Sequence, residues 1–201
     1  KKLFILAAAV ATLFACTSKE QQFNQEVAAI MERNNNVGLA LVAVNDGQVV
    51  LNERYGVKNI ETQEPIAKDD IFRIASISKS FTATAIMQLV EQGKLSLQQD
   101  VSELVGFKVR NPKFPEKVIT VEMLLSHTSS MNDANGYFTI NAINPDSSAT
   151  WQTAWNSYEP GTGYEYCNLG FNTLGTILER VSGERFDKYI VNHILNPLGI
   201  Y

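Results

Sequence analysis

The 201-residue chain has little with which to hold a metal or close a disulfide. It contains two cysteines, Cys16 and Cys167, and two histidines, His127 and His193. They form no cluster with ligand spacing, so no metal site is expected. There is no run of like charge, and the net charge is −4. That excludes the basic patch by which nucleic-acid-binding proteins are usually recognised. No apolar run reaches the length of a membrane-spanning helix. There is no internal repeat and no low-complexity tract. What remains is an ordinary globular composition, 45% hydrophobic and 19% charged, enough for one sizeable core and at most two lobes.

The first residues, "KKLFILAAAVATLFACTSKE", stand apart. Two lysines precede Leu3 to Phe14, an uncharged and mostly apolar run of 12 residues. Small residues follow. This is the anatomy of a secretory signal peptide rather than of folded structure. Its end, Leu13-Phe14-Ala15-Cys16, resembles the lipobox of bacterial lipoproteins, in which the cysteine becomes the first mature residue and carries the lipid. The plainer reading is a signal peptide with an incidental cysteine. On the lipoprotein reading, residues 1–15 are removed, Cys16 is the lipid-attachment site, and residues 16–23 are the lipidated cysteine and a polar tether. Several acyl chains would anchor the protein stably, since one chain is marginal. The mature part would carry 15 basic and 21 acidic residues, a net charge of −6, and no internal disulfide.

Past the tether, "NQEVAAIMER" over 24–33 reads as a helix. Two β-rich runs, "VGLALVAV" and "QVVLNERYG", flank Asn45-Asp46-Gly47, a hairpin signal. Residues 60–71 look like loop. Ile77, Phe81, Ala85, Ile86, Leu89 and Val90 share one face of a helix running from about Ser76 to Gln92, with Gly93 as its C-terminal cap. A short helix over 121–126 is expected after a Thr120 cap. Residues 131–163 read as mostly loop, with one short helix near Trp151. Leu174, Ile177, Leu178 and Val181 mark a helix ended by Gly183. Phe186, Tyr189, Ile190 and Ile194 mark a last one, stopped near Pro197. The tally is one hairpin and five or six helices. A lone hairpin is marginal by itself, and with "NPLGIY" closing the sequence it suggests a fragment.

Two short patterns carry chemistry. Ser76 and Lys79 form S-x-x-K at a helix start, where i and i+3 share a face. Serine is a poor nucleophile unless a base adjoins it, and lysine can be that base when burial or charge lowers its pKa. Free N–H groups at a helix N-terminus also suit an oxyanion. Tyr166-Cys167-Asn168 forms Y-x-N ahead of another helix. Each pattern alone is cheap. With 13 serines and 11 lysines, chance gives roughly 0.7 occurrences of S-x-x-K, and Y-x-N is similar. The plainer readings are a helix cap with a solvated lysine, and a buried tyrosine with an asparagine cap. His127 in "LLSHTSS" invites a Ser-His-Asp triad, but no G-x-S-x-G elbow accompanies it. His193 reads as a partly buried or surface histidine.

Taken in order, "FRIASISKSFTA", "GKLSLQQDV", "ITVEMLLSHTSSM" and "PGTGYEYCNLGFNTLGTILERVSG" resemble the β-lactamase-related serine hydrolases. That family spans class C β-lactamases, penicillin-binding D-alanyl-D-alanine peptidases and related esterases, and the resemblance covers about residues 24–200. It implies an α/β fold of the β-lactamase/transpeptidase type and an acyl-enzyme mechanism without metal or organic cofactor. By position, Ser76 would be the acylated nucleophile, with its N–H as half of the oxyanion hole. Lys79 would take or shuttle its proton. Tyr166 would assist as base or protonate the leaving group. Asn168 would bind substrate and help orient Lys79. Cys167 fills a variable middle position and reads as packing. His127 falls at a structural helix end.

The family's third signature, K-T-G or H-x-G on a sheet strand, does not occur after Asn168. The resemblance places it, and a second oxyanion donor, beyond residue 201. The fold expected here is therefore truncated: residues 24–201 hold the helical lobe and first hairpin, with the C-terminal sheet strands missing. Alone they are expected to be inactive and poorly folded. The complete protein is expected to be a lipid-anchored serine hydrolase of the bacterial cell envelope. It would lie on the periplasmic or outer surface side and act on a small-molecule or peptide substrate: a β-lactam, a D-alanyl peptide or an ester. The rival expectation is a non-catalytic lipoprotein of the same fold that binds cell-wall peptides or a partner.

Overall fold

The structure, a computed structural model, describes residues 18–200. The signal peptide and the lipid attachment expected at Cys16 lie outside the described residues. Among the described residues no helix is long and apolar enough to cross a membrane. The chain divides into two units, one ending at Arg73 and one beginning at Ile74.

In the first unit, helix α1 spans Lys19–Arg33 and buries Val27 and Met31. It starts five residues earlier than expected, inside the stretch read as a tether. The reason is a capping box. Ser18 Oγ accepts from Gln21 N at 3.2 Å, and Gln21 Oε1 accepts from Ser18 N at 3.0 Å. Two orphan donors of the first turn are satisfied reciprocally. Strands β1 (Gly38–Asn45) and β2 (Gln48–Asn59) form the expected antiparallel hairpin, with Val44 opposite Val49. Asp46 and Gly47 both have positive φ, 49° and 73°, the backbone that a two-residue hairpin turn requires. A two-residue strand β3, Glu64–Pro65, adds to β2 inside the region read as loop. Gly56 (φ +76°) is obligatory, since a Cβ there would meet Val37 O at 2.2 Å.

The second unit is a helical assembly around one long helix. A single 3-10 turn, Ala75–Ile77, leads into α2, Ser78–Glu91. Ser76 thus lies in the turn before the α-helix, not in it, and Ile77 is exposed rather than part of the apolar face. Helix α3 (Val101–Val105), not foreseen from the sequence, is capped by Asp100, whose carboxylate accepts from Ser102 N at 2.9 Å. Helix α4 (Val121–Leu125) has the expected Thr120 cap. Short 3-10 turns at Ile140–Ile143 and Trp151–Ala154 punctuate the long connection. Helix α5 runs Asn168–Ser182, with Gly183 at φ +75° closing it. Helix α6 (Phe186–Ile190) continues as a π-helical turn, Val191–Leu195, and ends in the 3-10 turn Asn196–Leu198.

Helix α5 is the core, with α2, α3 and α4 packed on it. Leu169, Leu174, Ile177 and Leu178 of α5 meet Ala85, Ile86 and Leu89 of α2, all fully buried. Each buried Leu or Ile stabilises by about 1.5–3 kcal/mol relative to exposure. This packing fixes the N-terminal ends of α2 and α5 relative to each other, and the candidate chemistry sits there.

Candidate active site

Helix α2 supplies Lys79, its second residue, and the turn ahead supplies Ser76. Ala75, just before Ser76, has φ +44°, a left-handed backbone that costs a non-glycine residue about 1–2 kcal/mol. Helix α5 supplies Asn168, its first residue, and the extended segment before it supplies Tyr166. The four side chains expected to act together do meet. Lys79 Nζ donates to Ser76 Oγ at 3.2 Å and to Asn168 Oδ1 at 2.7 Å. The Tyr166 hydroxyl donates to Ser76 Oγ at 2.7 Å. Lys79 Nζ also stands 4.9 Å from the Tyr166 ring centroid and 5.7 Å from that of Phe171, within cation–π range. The Lys79 ammonium, and after it the Ser76 hydroxyl, hold the Tyr166 phenol below its usual range.

Two further residues position this network, and neither was assigned such a role from the sequence. Asp133, in the connection between α4 and α5, accepts four hydrogen bonds. Its Oδ2 takes Asn168 N at 3.0 Å and Asn168 Nδ2 at 2.7 Å, while Oδ1 takes Leu169 N at 3.0 Å and Cys167 Sγ at 3.3 Å. Burial pushes the Asp133 carboxyl up, but these bonds outweigh it and hold the group below the usual carboxylate range. His127 holds the other side of the Y-x-N segment. Its backbone oxygen accepts from Glu165 N at 3.0 Å and its Nδ1 from Cys167 N at 3.1 Å. Its ring packs 4.6 Å from Tyr166 and 5.1 Å from Phe171, centroid to centroid. His127 ends α4 at φ +58° and takes part in none of the three hydrogen bonds of the network, so it forms no triad with Ser76.

Cys167 is more than packing. Its thiol is buried, caps α5 by accepting from Gly170 N at 3.4 Å, and donates to Asp133. Burial chiefly pushes the thiol up to about 12. His193 is half-exposed and paired with Glu184 at 2.7 Å, away from the network. Among the described residues no group of three or more His, Cys, Asp or Glu side chains is placed to hold a metal ion.

The network opens onto a cleft of about 610 Å³, bounded by Ser76, Lys79, Asn168, Phe171, Tyr137 and Phe138. A serine whose oxygen faces both an amine and a phenol, beside such a cleft, can be deprotonated as it attacks a carbonyl.

The sequence model of the family described as Beta-lactamase matches residues 23–201. The chain belongs to the Beta-lactamase family. Its fold is of the β-lactamase/transpeptidase type, with helices and a small antiparallel sheet. Among curated relatives, Protein flp of Staphylococcus aureus strain N315 is 29% identical over 184 residues, 89% of this chain and 37% of its own length. The octameric penicillin-binding protein homologue from Pyrococcus abyssi superposes with a TM-score of 0.76 at 32% identity, covering 90% of this chain and 43% of that one. The D-alanine carboxypeptidase AmpC from Burkholderia cenocepacia gives 0.70 at 26% identity, over 87% and 46%. The chain thus spans about two fifths of the length of these Beta-lactamase family relatives.

Proposed function

We propose that the complete protein is a serine hydrolase that forms an acyl-enzyme on Ser76 with amide or ester substrates. The observation that carries this is the Ser76 hydroxyl held between Tyr166 OH at 2.7 Å and Lys79 Nζ at 3.2 Å. Ser76 Oγ attacks the substrate carbonyl, and its proton passes to the Lys79–Tyr166 pair. The same pair returns a proton to the leaving amine or alkoxide as the carbonyl–heteroatom bond breaks. Water then attacks the acyl-enzyme, releasing the acid and restoring Ser76. Asn168, its oxygen on Lys79, keeps the amine directed at Ser76 and stands at the cleft wall to meet substrate. Membership in the Beta-lactamase family and the likeness to a D-alanine carboxypeptidase support this reading. Anchorage to the cell envelope through a lipid on Cys16 belongs to the same proposal and rests on residues 1–16 alone.

The test is covalent labelling of the complete mature protein and a Ser76→Ala variant, with a fluorescent penicillin and a fluorophosphonate, read by intact mass. One adduct on the wild type and none on the variant is expected. Persistent penicillin labelling points to a peptidase, rapid release to a β-lactamase, and fluorophosphonate labelling alone to an esterase or another peptidase. No adduct from either probe on folded protein would sink the reading and favour a non-catalytic binding protein.

A further inference from the structure

Taking Ser76 as the nucleophile, we propose that Asp133 is a positioning residue whose carboxylate turns the Asn168 carboxamide so that its oxygen, and not its nitrogen, faces Lys79. A carboxamide has two faces of nearly equal shape, one acceptor and one donor. Only one orientation serves here. With Nδ2 on Asp133 at 2.7 Å, Oδ1 falls 2.7 Å from Lys79 Nζ. Rotated by half a turn, the amide would set its oxygen against a carboxylate and its NH2 against an ammonium. Asp133 makes that alternative costly.

A carboxylate that merely capped α5 would need only the backbone N–H groups of Asn168 and Leu169. The bond to the Asn168 side chain is additional, and it alone reaches the network. Asp133 is also fixed from behind. Met131 beside it is fully buried and bridged to Trp155, Asn132 N donates to Ala154 O at 2.9 Å, and Gly136 N donates to Asp133 O at 2.9 Å. Ser130, buried at φ +60°, is tied by its Oγ to Asn111 Nδ2 at 2.8 Å. The negative charge therefore stands at a fixed place one side chain away from Lys79.

The experiment uses the complete protein, its Asp133→Asn variant and the double variant D133N/N168D, with a fluorophosphonate as probe. The probe needs no substrate-side hydrogen bond from Asn168. In labelling, the Ser76 Oγ–P bond forms, the P–F bond breaks, fluoride departs, and the serine proton passes to the Lys79–Tyr166 pair and on to water. The labelling rate is followed against pH beside thermal melts. The groups facing Lys79 are the Ser76 hydroxyl, the Tyr166 phenol and Asn168, with Asp133 behind Asn168 and His127 close enough to feel its charge.

In Asp133→Asn one acceptor oxygen remains where two served, and the NH2 sets a donor against the other N–H groups, so the hold on the Asn168 amide weakens and labelling is expected to slow about 10- to 100-fold, the scale of one charged hydrogen bond. The pH of half-maximal rate should move down, because an NH2 facing the amine disfavours its charged form. In the double variant the carboxamide introduced at position 133 donates to the carboxylate introduced at position 168, which faces Lys79, and the midpoint should move up. A role confined to holding α5 would lower the Asp133→Asn rate and melting temperature together and leave its midpoint unmoved, which would overturn the proposal. If Asp133→Asn does not fold, the double variant is compared with Asn168→Asp alone: it restores the hydrogen bond between the two positions and should label faster, and equal rates would overturn the proposal. Wild type that is unlabelled, or still labelled after Ser76→Ala, fails the nucleophile reading itself. Labelling at Ser76 with unmoved midpoints fails only the role of Asp133.

Discussion

The Tyr166 hydroxyl rests 2.7 Å from Ser76 Oγ, across 90 residues of chain. Tyr166 is exposed, with its ring packed against His127 and facing Lys79 Nζ. Tyr166→Phe should therefore leave the melt nearly unchanged while slowing acylation of Ser76 by about 10²–10⁴-fold, the range of general acid–base catalysis. Intact-mass time courses with the penicillin and fluorophosphonate probes, paired with thermal melts, read both quantities. A fold-neutral variant that labels at the wild-type rate would remove Tyr166 from the proton path.

His127 gives the protein an acid-side weakness. Burial, and then the Lys79 charge, hold its imidazole below its usual value of 6.5, with Asp133 pulling the other way. The folded state thus binds a proton less readily than the unfolded state does. The stabilisation is complete above 6.5 and is lost as pH falls from there through the folded value. Melting temperature should begin to decline as pH falls below about 6.5, before most carboxylates titrate. His127→Asn, which tolerates positive φ, should flatten that part of the profile. A wild-type profile already flat there would refute the assignment.

Cys167 should be inert while the protein is folded. Its thiol is buried and held near 12, so almost none is thiolate at about pH 8. In a Cys16→Ser background, native protein should resist iodoacetamide and react fully in denaturant. Cys167→Ser keeps a donor for Asp133 and an acceptor for Gly170 N, and should cost under about 1 kcal/mol. Cys167→Val removes both and leaves the buried Gly170 N without its acceptor, costing about 1–3 kcal/mol. Denaturant titrations separate the two.

Asp100 joins two structural duties. It caps α3, and it holds Arg110 through both guanidinium nitrogens. Burial raises its carboxyl, but Arg110 and Ser102 more than offset this and hold it below the usual range. The stability this provides is present above pH 3.8, the unperturbed value, and lost as pH falls through the lower folded value. Arg110→Ala should cost about 2 kcal/mol near pH 7 and progressively less as pH falls below 3.8. An equal cost across that range would show that packing, and not charge, is what Arg110 supplies.

How far the sequence reveals this depends on the range of each contact. The hairpin, α2, α4 and α5 are legible because turn chemistry, caps and apolar spacing are local. Ser76, Lys79, Tyr166 and Asn168 are legible only together, through the order of four blocks that resemble one family. The early start of α1 was written in Ser18 and Gln21, and α3 in Asp100 and Gly106, but short capping signals are easily taken for loop. Asp133 could not be read, because its partners lie 34 to 36 residues on and two of its four bonds come from backbone N–H groups, which carry no sequence signature. The same holds for His127, whose role depends on a positive φ and on one ring nitrogen facing a backbone N–H 40 residues away. The third strand is two residues long and leaves no pattern.

The division of the chain at Arg73 and Ile74 also bears on how such a protein can be recombined. Every member of the network and both residues that hold it, from Ser76 to Asn168, fall on the later side. A genetic crossover between residues 60 and 73 would exchange α1 and the hairpin while passing the network on as one inherited block. A crossover between 134 and 165 would join a parent's Asp133 and His127 to another parent's Tyr166 and Asn168. Chimeras of the second kind should keep labelling at Ser76 only when both parents carry matching pairs at these positions, so the two halves of the site are expected to change together.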